Sequence, residues 1–376
     1  MKIVHVVGAR PNFMKVAPLM AAIERAGFAE QLLVHTGQHY DAQMSDVFFE
    51  ELGLRRPDVF LGVGGGTPTE QTAQAMLGFE KVLREHRPDL VVVVGDVTST
   101  IAAALAATQQ HVRVAHVEAG LRSGDMTMPE EINRVLTDRI SDLLLTPSED
   151  ASDNLRREGI PEERIHLVGN IMIDTLLACL PRARKRGTVA KMGLEPRRYA
   201  VMTVHRAANV DDEATLTRLV EALERVQERL PVVFPAHPRT ARQLQAFGLD
   251  GRVDAMPGVR RVEPQGYLEM IDLVAHAAVV LTDSGGLQEE TTALGVPCLT
   301  LRNETERPIT VSEGTNEVVG TEPKRIRTAV DDVLAGRAKH GRCPALWDGR
   351  TSERISDLFR SQIRITLPYF AAGIRV

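Results

Sequence analysis

The sequence has no apolar run long enough to cross a bilayer, no paired cysteine pattern and no excess of positive charge. Its three cysteines, Cys179, Cys298 and Cys343, are few, widely spaced and odd in number. They point to a reducing compartment and provide no zinc-ligand spacing, so no metal is expected. The opening "MKIVHVVGARPNF" has one early lysine but neither a long apolar core nor a small-residue cleavage site, and reads as a first strand rather than a signal. With no membrane segment, the expected location is the cytoplasm. A formal net charge of −5 argues against a nucleic-acid partner, although a local basic pocket can still hold phosphate.

What is present is globular: 376 residues, 43% hydrophobic and 25% charged, a length that predicts two or three domains. Short apolar runs alternate with helix-length amphipathic stretches, the signature of βα units around a parallel sheet. The first series of strands reads "KIVHVVG", "EQLLVHTG", "LVVVVGD", "VRVAHVE", "DLLLTPS" and "RIHLVGN". Helices such as "PNFMKVAPLMAAIERAG" and "TPTEQTAQAMLGFEKVLREH" lie between them, the latter with Ala75, Phe79 and Val82 on one face. A second series follows from residue 199: "YAVMTVH", "PVVFPAHP", "VRRVEP", "AAVVLTDSGG" and "VPCLTLR". The basic stretch "PRARKRGTVAKMGLEPRR" between the series reads as an irregular, solvated linker. The expected fold class is α/β, two doubly wound, parallel-sheet, Rossmann-like domains facing a cleft. The expected division is 1–168, 169–355 and a C-terminal helix over 356–376 crossing back to the first domain.

Carboxylates at strand ends carry the first chemical signal. "AHVEAGLR" takes an apolar run to Glu118, where Ala119 and Gly120 break the strand, and "LVVVVGDVTST" ends its valines in Gly95 and Asp96. A lone strand-end acid is usually a cap; two separated by one helix of chain predict neighbouring strand ends, where open α/β sheets bind ligands. "MPEEINRVLTDR" then starts a helix with Glu130 and Glu131, an arrangement that complements the helix dipole and needs no other reason. Their closeness in sequence to Glu118 nevertheless predicts that Asp96, Glu118 and Glu130 converge, with mutually raised pKa values suited to proton transfer.

The complementary signals are cationic. In "GARPNFMK" Gly8 reads as a turn glycine that allows positive φ and close ligand approach, and Arg10 and Lys15 flank a helix start that favours anions. The turn is neither GxGxxG nor a P-loop. In "LTDSGGLQEE" Ser284, Gly285 and Gly286 open a helix toward phosphate, Glu290 is placed to accept from ribose hydroxyls, and Arg307 in "NETERPIT" adds a cation. His205 and His237 end two strands of the second series, suited to phosphate contact or proton transfer.

In this order the stretches "GARPNFMK", "TGQH", "GDVTST", "HVEAGLRSGD", "PEEINR", "HRAANV", "LTDSGGLQEE" and "TERP" resemble the non-hydrolysing UDP-N-acetylglucosamine 2-epimerases, from the first strand to about residue 320. The resemblance implies a two-domain fold of the glycosyltransferase B type and inversion of C2 of a UDP-sugar without a nicotinamide or other cofactor. It implies loss of the C2 proton with departure of UDP from C1 to give a 2-acetamidoglucal, then re-addition, in the supply of cell-surface polysaccharide precursors. By motif position Asp96, Glu118 and Glu130 match the acid/base carboxylates and His205 a catalytic or phosphate-contacting histidine. Arg10, Lys15, His237, Ser284, Gly285, Gly286, Glu290 and Arg307 match nucleotide contacts, with Gln265 near the uracil. The expected partners are a UDP-sugar and a second copy of the chain in a homodimer. A retaining glycosyltransferase of the same fold is the rival from another class.

Two departures bear on the expectation. Ala208 in "HRAANV" stands where the family commonly has Glu, an acid expected to help orient the loop after His205. "QHYDAQMSDVFFEEL" is closer to the branch that acts on UDP-2,3-diacetamido-2,3-dideoxy-glucuronate, which makes that sugar the alternative substrate. Some family members require a second nucleotide sugar, held partly by Gln-His-x-Gln. Here Gln38, His39, Tyr40 and Asp41 replace the second amide by an acid that can only accept, so weak or absent activation is expected.

Overall fold

The computed structural model describes residues 1–37 and 51–370, the side chains of residue 10 and of residues 363–370 excepted. Gln38 to Asp41, and with them most of the stretch that suggested the alternative substrate and the weak activation, lie outside the described residues. The chain divides into two units, Met1–Thr175 with Ala345–Val376, and Leu176–Pro344.

In the first unit the strands are β1 (Lys2–Val7), β2 (Glu30–His35), β3 (Val59–Phe60), β4 (Leu90–Val94), β5 (Arg113–Val117), β6 (Leu143–Thr146) and β7 (Ile165–Leu167). They form a sheet in the order β3-β2-β1-β4-β5-β6-β7, every pair parallel. The order reverses between β1 and β4, which marks the C-terminal edge there as the switch point where ligands bind in such sheets. β4 explains why the sheet is covered on both faces. Its five residues are all buried and, apart from Leu90, β-branched, as a central parallel strand requires. Leu90, Val92 and Val94 join Phe13, Leu19 and Ile23 in one core layer, while Val91 and Val93 join Phe79, Val82 and Ala103 in the other.

The helix Pro68–His86 begins at a capping box, Thr67 Oγ1 accepting from Glu70 N at 3.2 Å and the Glu70 carboxylate from Thr67 N at 2.7 Å. The alanine-rich helix Thr98–Gln109 packs against it and against Pro129–Ile140, its small side chains permitting close approach. The helix Thr351–Phe370 adds Ile355 and Phe359 to the core of this unit. Its first turn is capped by Asp174, which accepts from Thr351 N at 3.1 Å and Ser352 N at 2.7 Å.

The second unit repeats the design with β8 (Ala200–Thr203), β9 (Val232–Pro235), β10 (Val259–Val262), β11 (Val279–Thr282), β12 (Cys298–Thr300) and β13 (Asn316–Val318). The order is β10-β9-β8-β11-β12-β13, again parallel throughout, with the reversal between β8 and β11. Core layers lie on both faces, one around Met202, Leu223 and Phe234, the other around Tyr199, Val233 and Leu273.

Three details differ from the sequence reading. β3 and β13, of two and three residues, are too short for a pattern of their own and are set by pairing with β2 and β12. The basic stretch after residue 180 is not an irregular linker: the helix Ile171–Arg186 runs through Pro181, and Thr188–Lys191 adds a short helix. Leu176, Cys179 and Ala183 are buried at helical spacing, and that burial outweighs the proline.

β1 also buries a histidine in mid-sheet. His5 is fully enclosed, its Nε2 3.0 Å from Gln31 Oε1 and its Nδ1 without a hydrogen-bond partner among the described residues. Burial lowers its pKa from 6.5 to about 4. The unfolded chain therefore takes up a proton that the folded chain refuses, so stability is full above pH 6.5 and declines as pH falls from 6.5 toward about 4. Denaturant titrations across that range are expected to show the decline, and His5→Leu to flatten it; an unchanged slope in the variant assigns the decline to other groups.

Candidate active site

In the first unit the site is assembled from the loops after β1, β4 and β5. Asn12, buried in the first turn of the helix Arg10–Ala26, accepts from Gly8 N and Ala9 N at 3.0 Å each and donates to Val94 O at 3.1 Å. One side chain thus fastens the β1 turn to the end of β4. Gly8 is needed for a reason other than the one expected: it has no positive φ, and a Cβ there would lie 2.0 Å from Ser99 Oγ and 2.7 Å from Thr36 Oγ1. The close approach is to the protein itself.

Lys15, one turn further on, forms an ion pair with Glu118 in which both side chains are only 8% exposed. Gly95 underlies this pair. Its φ is +68°, and a Cβ would sit 2.9 Å from Lys15 Nζ and 3.4 Å from Glu118 Oε2. Asp96 pairs with Arg134, and its carbonyl accepts from Asn133 Nδ2 at 2.9 Å. Arg134 also reaches Glu131 at 2.8 Å, while Glu131 accepts from Ser123 N and Gly124 N and so ties the loop to the helix Pro129–Ile140. Glu130, half-buried beside it, makes no hydrogen bond or ion pair among the described residues. Asp96 and Glu118 are therefore each set against a cation, where the sequence suggested acids set against one another. Arg134 was missed although it lies four residues after Glu130, one helical turn away.

In the second unit the site lies at the ends of β8, β9 and β11. Asp283, fully buried, accepts from His205 N at 2.9 Å, from Arg206 N at 2.9 Å and from Asn209 Nδ2 at 3.1 Å, and lies 3.0 Å from His205 Nδ1. Burial pushes its carboxyl up, but His205 and the backbone donors outweigh burial and hold it below the ordinary range. Asn209 also donates to Leu301 O at 2.9 Å, so the loop after His205 is held although Ala208 replaces the expected acid. His237 stands beside His205, ring centroids 5.5 Å apart, and its Nδ1 accepts from Arg239 N at the start of the helix Pro238–Ala246.

The helix Gly285–Leu294 begins at Ser284 with no side-chain cap. A Cβ at Gly286 would meet nothing within 4 Å, whereas one at Gly285 would lie 3.0 Å from the Arg307 guanidinium. Arg307 therefore rests on the open N-terminal turn. It bonds Glu289 at 2.9 Å and Glu306 at 3.1 Å, and Glu306 further takes Arg206 at 2.9 Å and Arg302 at 2.6 Å. Burial raises the Glu306 pKa, yet the three guanidiniums hold its carboxyl far below the ordinary range. Arg307 thus places a cation against the open first turn of a helix, a combination that attracts phosphate. Glu290, buried, accepts from Tyr267 Oη at 3.1 Å, and Gln265 donates to Glu263 O at 2.7 Å just before the helix Tyr267–His276. Asp283 and Glu306, both missed from sequence, sit beside residues that were picked out, in "TDSGG" and "TERP". The side chain of Arg10 lies outside the described residues.

A family model for UDP-N-acetylglucosamine 2-epimerases matches residues 21–360. The chain belongs to this family. Family membership makes it an isomerase and selects the epimerase over the glycosyltransferase. A UDP-N-acetylglucosamine 2-epimerase of Methanocaldococcus jannaschii is 42% identical over 360 residues, 94% of this chain and 98% of that one. A UDP-2,3-diacetamido-2,3-dideoxy-D-glucuronate 2-epimerase of Pseudomonas aeruginosa is 44% identical over 324 residues, 85% and 88% of the two chains. Among solved structures, the M. jannaschii UDP-GlcNAc 2-epimerase in complex with UDP-GlcNAc and UDP superposes with a TM-score of 0.89 at 41% identity, covering 96% of this chain and 100% of that one. The two doubly wound sheets are those of this epimerase fold, of glycosyltransferase B type.

The Lys15–Glu118 pair gives a direct test of the first unit's electrostatics. Removing one partner of a buried pair strands the other charge, so Lys15→Met is expected to cost about 3–5 kcal/mol of stability, most of it recovered in Lys15→Met/Glu118→Leu. Denaturant midpoints for the single and double variants check this, and equal losses in both mean the pair is not electrostatically coupled.

Proposed function

We propose that the chain inverts C2 of UDP-N-acetylglucosamine to give UDP-N-acetylmannosamine, in the cytoplasm and in the supply of cell-surface polysaccharide precursors. A base takes the C2 proton while the C1–O bond to UDP breaks, leaving 2-acetamidoglucal and UDP. A proton then reaches C2 from the opposite face and UDP re-forms the bond to C1. The reading assigns the proton transfers to Asp96, Glu118 and Glu130, assisted by His205. It assigns the nucleotide to Arg10, Lys15, His237, Gln265, Ser284, Gly285, Gly286, Glu290 and Arg307. The observation that carries it is the pair of acids beyond β4 and β5, each held by its own cation, because two faces of C2 need two positioned carboxyl groups. The anion-favouring turn at Gly285 and Gly286 supports departure and return of UDP within the second unit.

A second substrate is favoured by one observation: the Pseudomonas relative acting on the diacetamido-glucuronate is as similar as the N-acetylglucosamine enzymes. Incubation in deuterated water separates the two. Deuterium at C2 of UDP-N-acetylglucosamine with the manno epimer appearing supports the first reading, exchange confined to UDP-2,3-diacetamido-2,3-dideoxy-glucuronate supports the second, and no exchange in either rejects both. Asp96→Asn, Glu118→Gln and Glu130→Gln are each expected to slow the exchange by at least about a hundredfold.

The proposed assembly is a homodimer. Ile132 and Leu136, one turn apart on the helix Pro129–Ile140, are 39% and 50% exposed, an apolar stripe suited to burial against another copy. Light scattering is expected to give the mass of two chains, and Ile132→Glu/Leu136→Glu to shift it toward one; a single-chain mass for the unaltered protein rejects the dimer.

A further inference from the structure

Glu118 occupies a backbone conformation that its side chain disfavours. Its φ is +70°, in the left-handed region where a Cβ crowds the following carbonyl. Such a residue persists only where its surroundings over-determine it. Here Glu118 N and Ala119 N both donate to Leu145 O at 3.1 Å, and Gly95 N donates to Val117 O at 3.0 Å. The remaining restraint comes from two wholly buried side chains. His116, on β5, has Nε2 2.7 Å from Gly95 O; a carbonyl only accepts, so Nε2 carries the hydrogen and donates. Its Nδ1 lies 2.7 Å from Asp138 Oδ1. Asp138 Oδ2 in turn accepts from Gly120 N at 3.1 Å and from Arg122 Nη1 at 2.7 Å.

One imidazole thus touches both strand-end turns. It meets the Gly95 turn that delivers Asp96 directly, and the Gly120 turn that delivers Glu118 through Asp138. We propose that His116 and Asp138 are positioning residues that fix the separation and aim of the Asp96 and Glu118 carboxylates. The inference rests on the assignment of those two acids to proton transfer. It gives the buried histidine a task beyond filling space, because its two contacts end on the two turns that carry the chemistry.

Two amide substitutions separate the contacts. Asn places its amide near the Nδ1 position and keeps Asp138 while losing Gly95 O; Gln reaches the Nε2 position and keeps a donor to Gly95 O. In the C2 exchange assay His116→Asn is expected to lower kcat about a hundredfold, with KM and calorimetric UDP affinity within about threefold, and His116→Gln to be at least about tenfold more active than His116→Asn. Wild-type kcat in His116→Asn overturns the proposal, as do equal losses of kcat and of Tm in both variants. Should His116→Asn fail to fold, Asp138→Asn, which keeps the shape of the side chain, carries the same expectation of a kcat loss without a KM change, and wild-type kcat there overturns the proposal equally. If Asp96→Asn and Glu118→Gln slow exchange as expected while the His116 and Asp138 variants keep the wild-type kcat, the positioning role alone falls. If those carboxylate variants also exchange normally, the carboxylate assignment falls and takes the positioning role with it.

Discussion

A parallel sheet delivers the residue after every strand to the same edge, and the pairing of β4 with β5 decides what meets there. Val94 lies opposite Val117, and Gly95 N donates to Val117 O, so the chain leaves both strands at one level. Asp96 and Glu118 follow as direct consequences of that register. β1 is the other neighbour of β4, and the helix that follows it carries Lys15 to the same edge. A shift of β5 by one residue would replace Glu118 with an apolar side chain and leave Lys15 charged and enclosed, which is far more costly than the register observed.

The two units solve the same problem with opposite charges. In the first, acids are retained at a sheet edge because cations from neighbouring helices hold them: Lys15 for Glu118 and Arg134 for Asp96. In the second, arginines are retained because the buried acids Glu289 and Glu306 hold them. In both cases a buried ionic partner removes rotamer freedom from the group it holds, so orientation is fixed in the folded chain before any ligand arrives.

Much of this was legible because strong patterns carry it. "LVVVVGD" and "VRVAHVE" are buried on both faces, so their apolar runs stop where the sheet stops, and the acids at those stops mark the functional edge. The glycines of "DSGG" mark a helix start in the same way. What was not legible was contact between distant segments. Nothing in "GARPNFMK" says that Lys15 meets Glu118, 103 residues away, or that Gly8 is pressed against Ser99. Glu130 and Glu131 look alike in sequence, yet among the described residues the side chain of one has no polar partner and that of the other holds two backbone amides and an arginine. The short edge strands β3 and β13 exist only through their neighbours, and the basic stretch after residue 180 concealed a helix because its charges obscure a narrow buried face.

The helix Thr351–Phe370 sets an order of events during synthesis. The second unit is one uninterrupted segment, Leu176–Pro344, inserted within the first. It is complete as soon as its last residue leaves the ribosome. The first unit begins earlier but finishes later, since Ile355 and Phe359 fill its core beside Leu19 and Ile23. Until they arrive, the part of the helix Arg10–Ala26 that packs against Thr351–Phe370 is uncovered. The nascent chain therefore has all seven strands of the N-terminal sheet, with part of one apolar face still open, throughout translation of the second unit, and that face closes only when Thr351–Phe370 has been made.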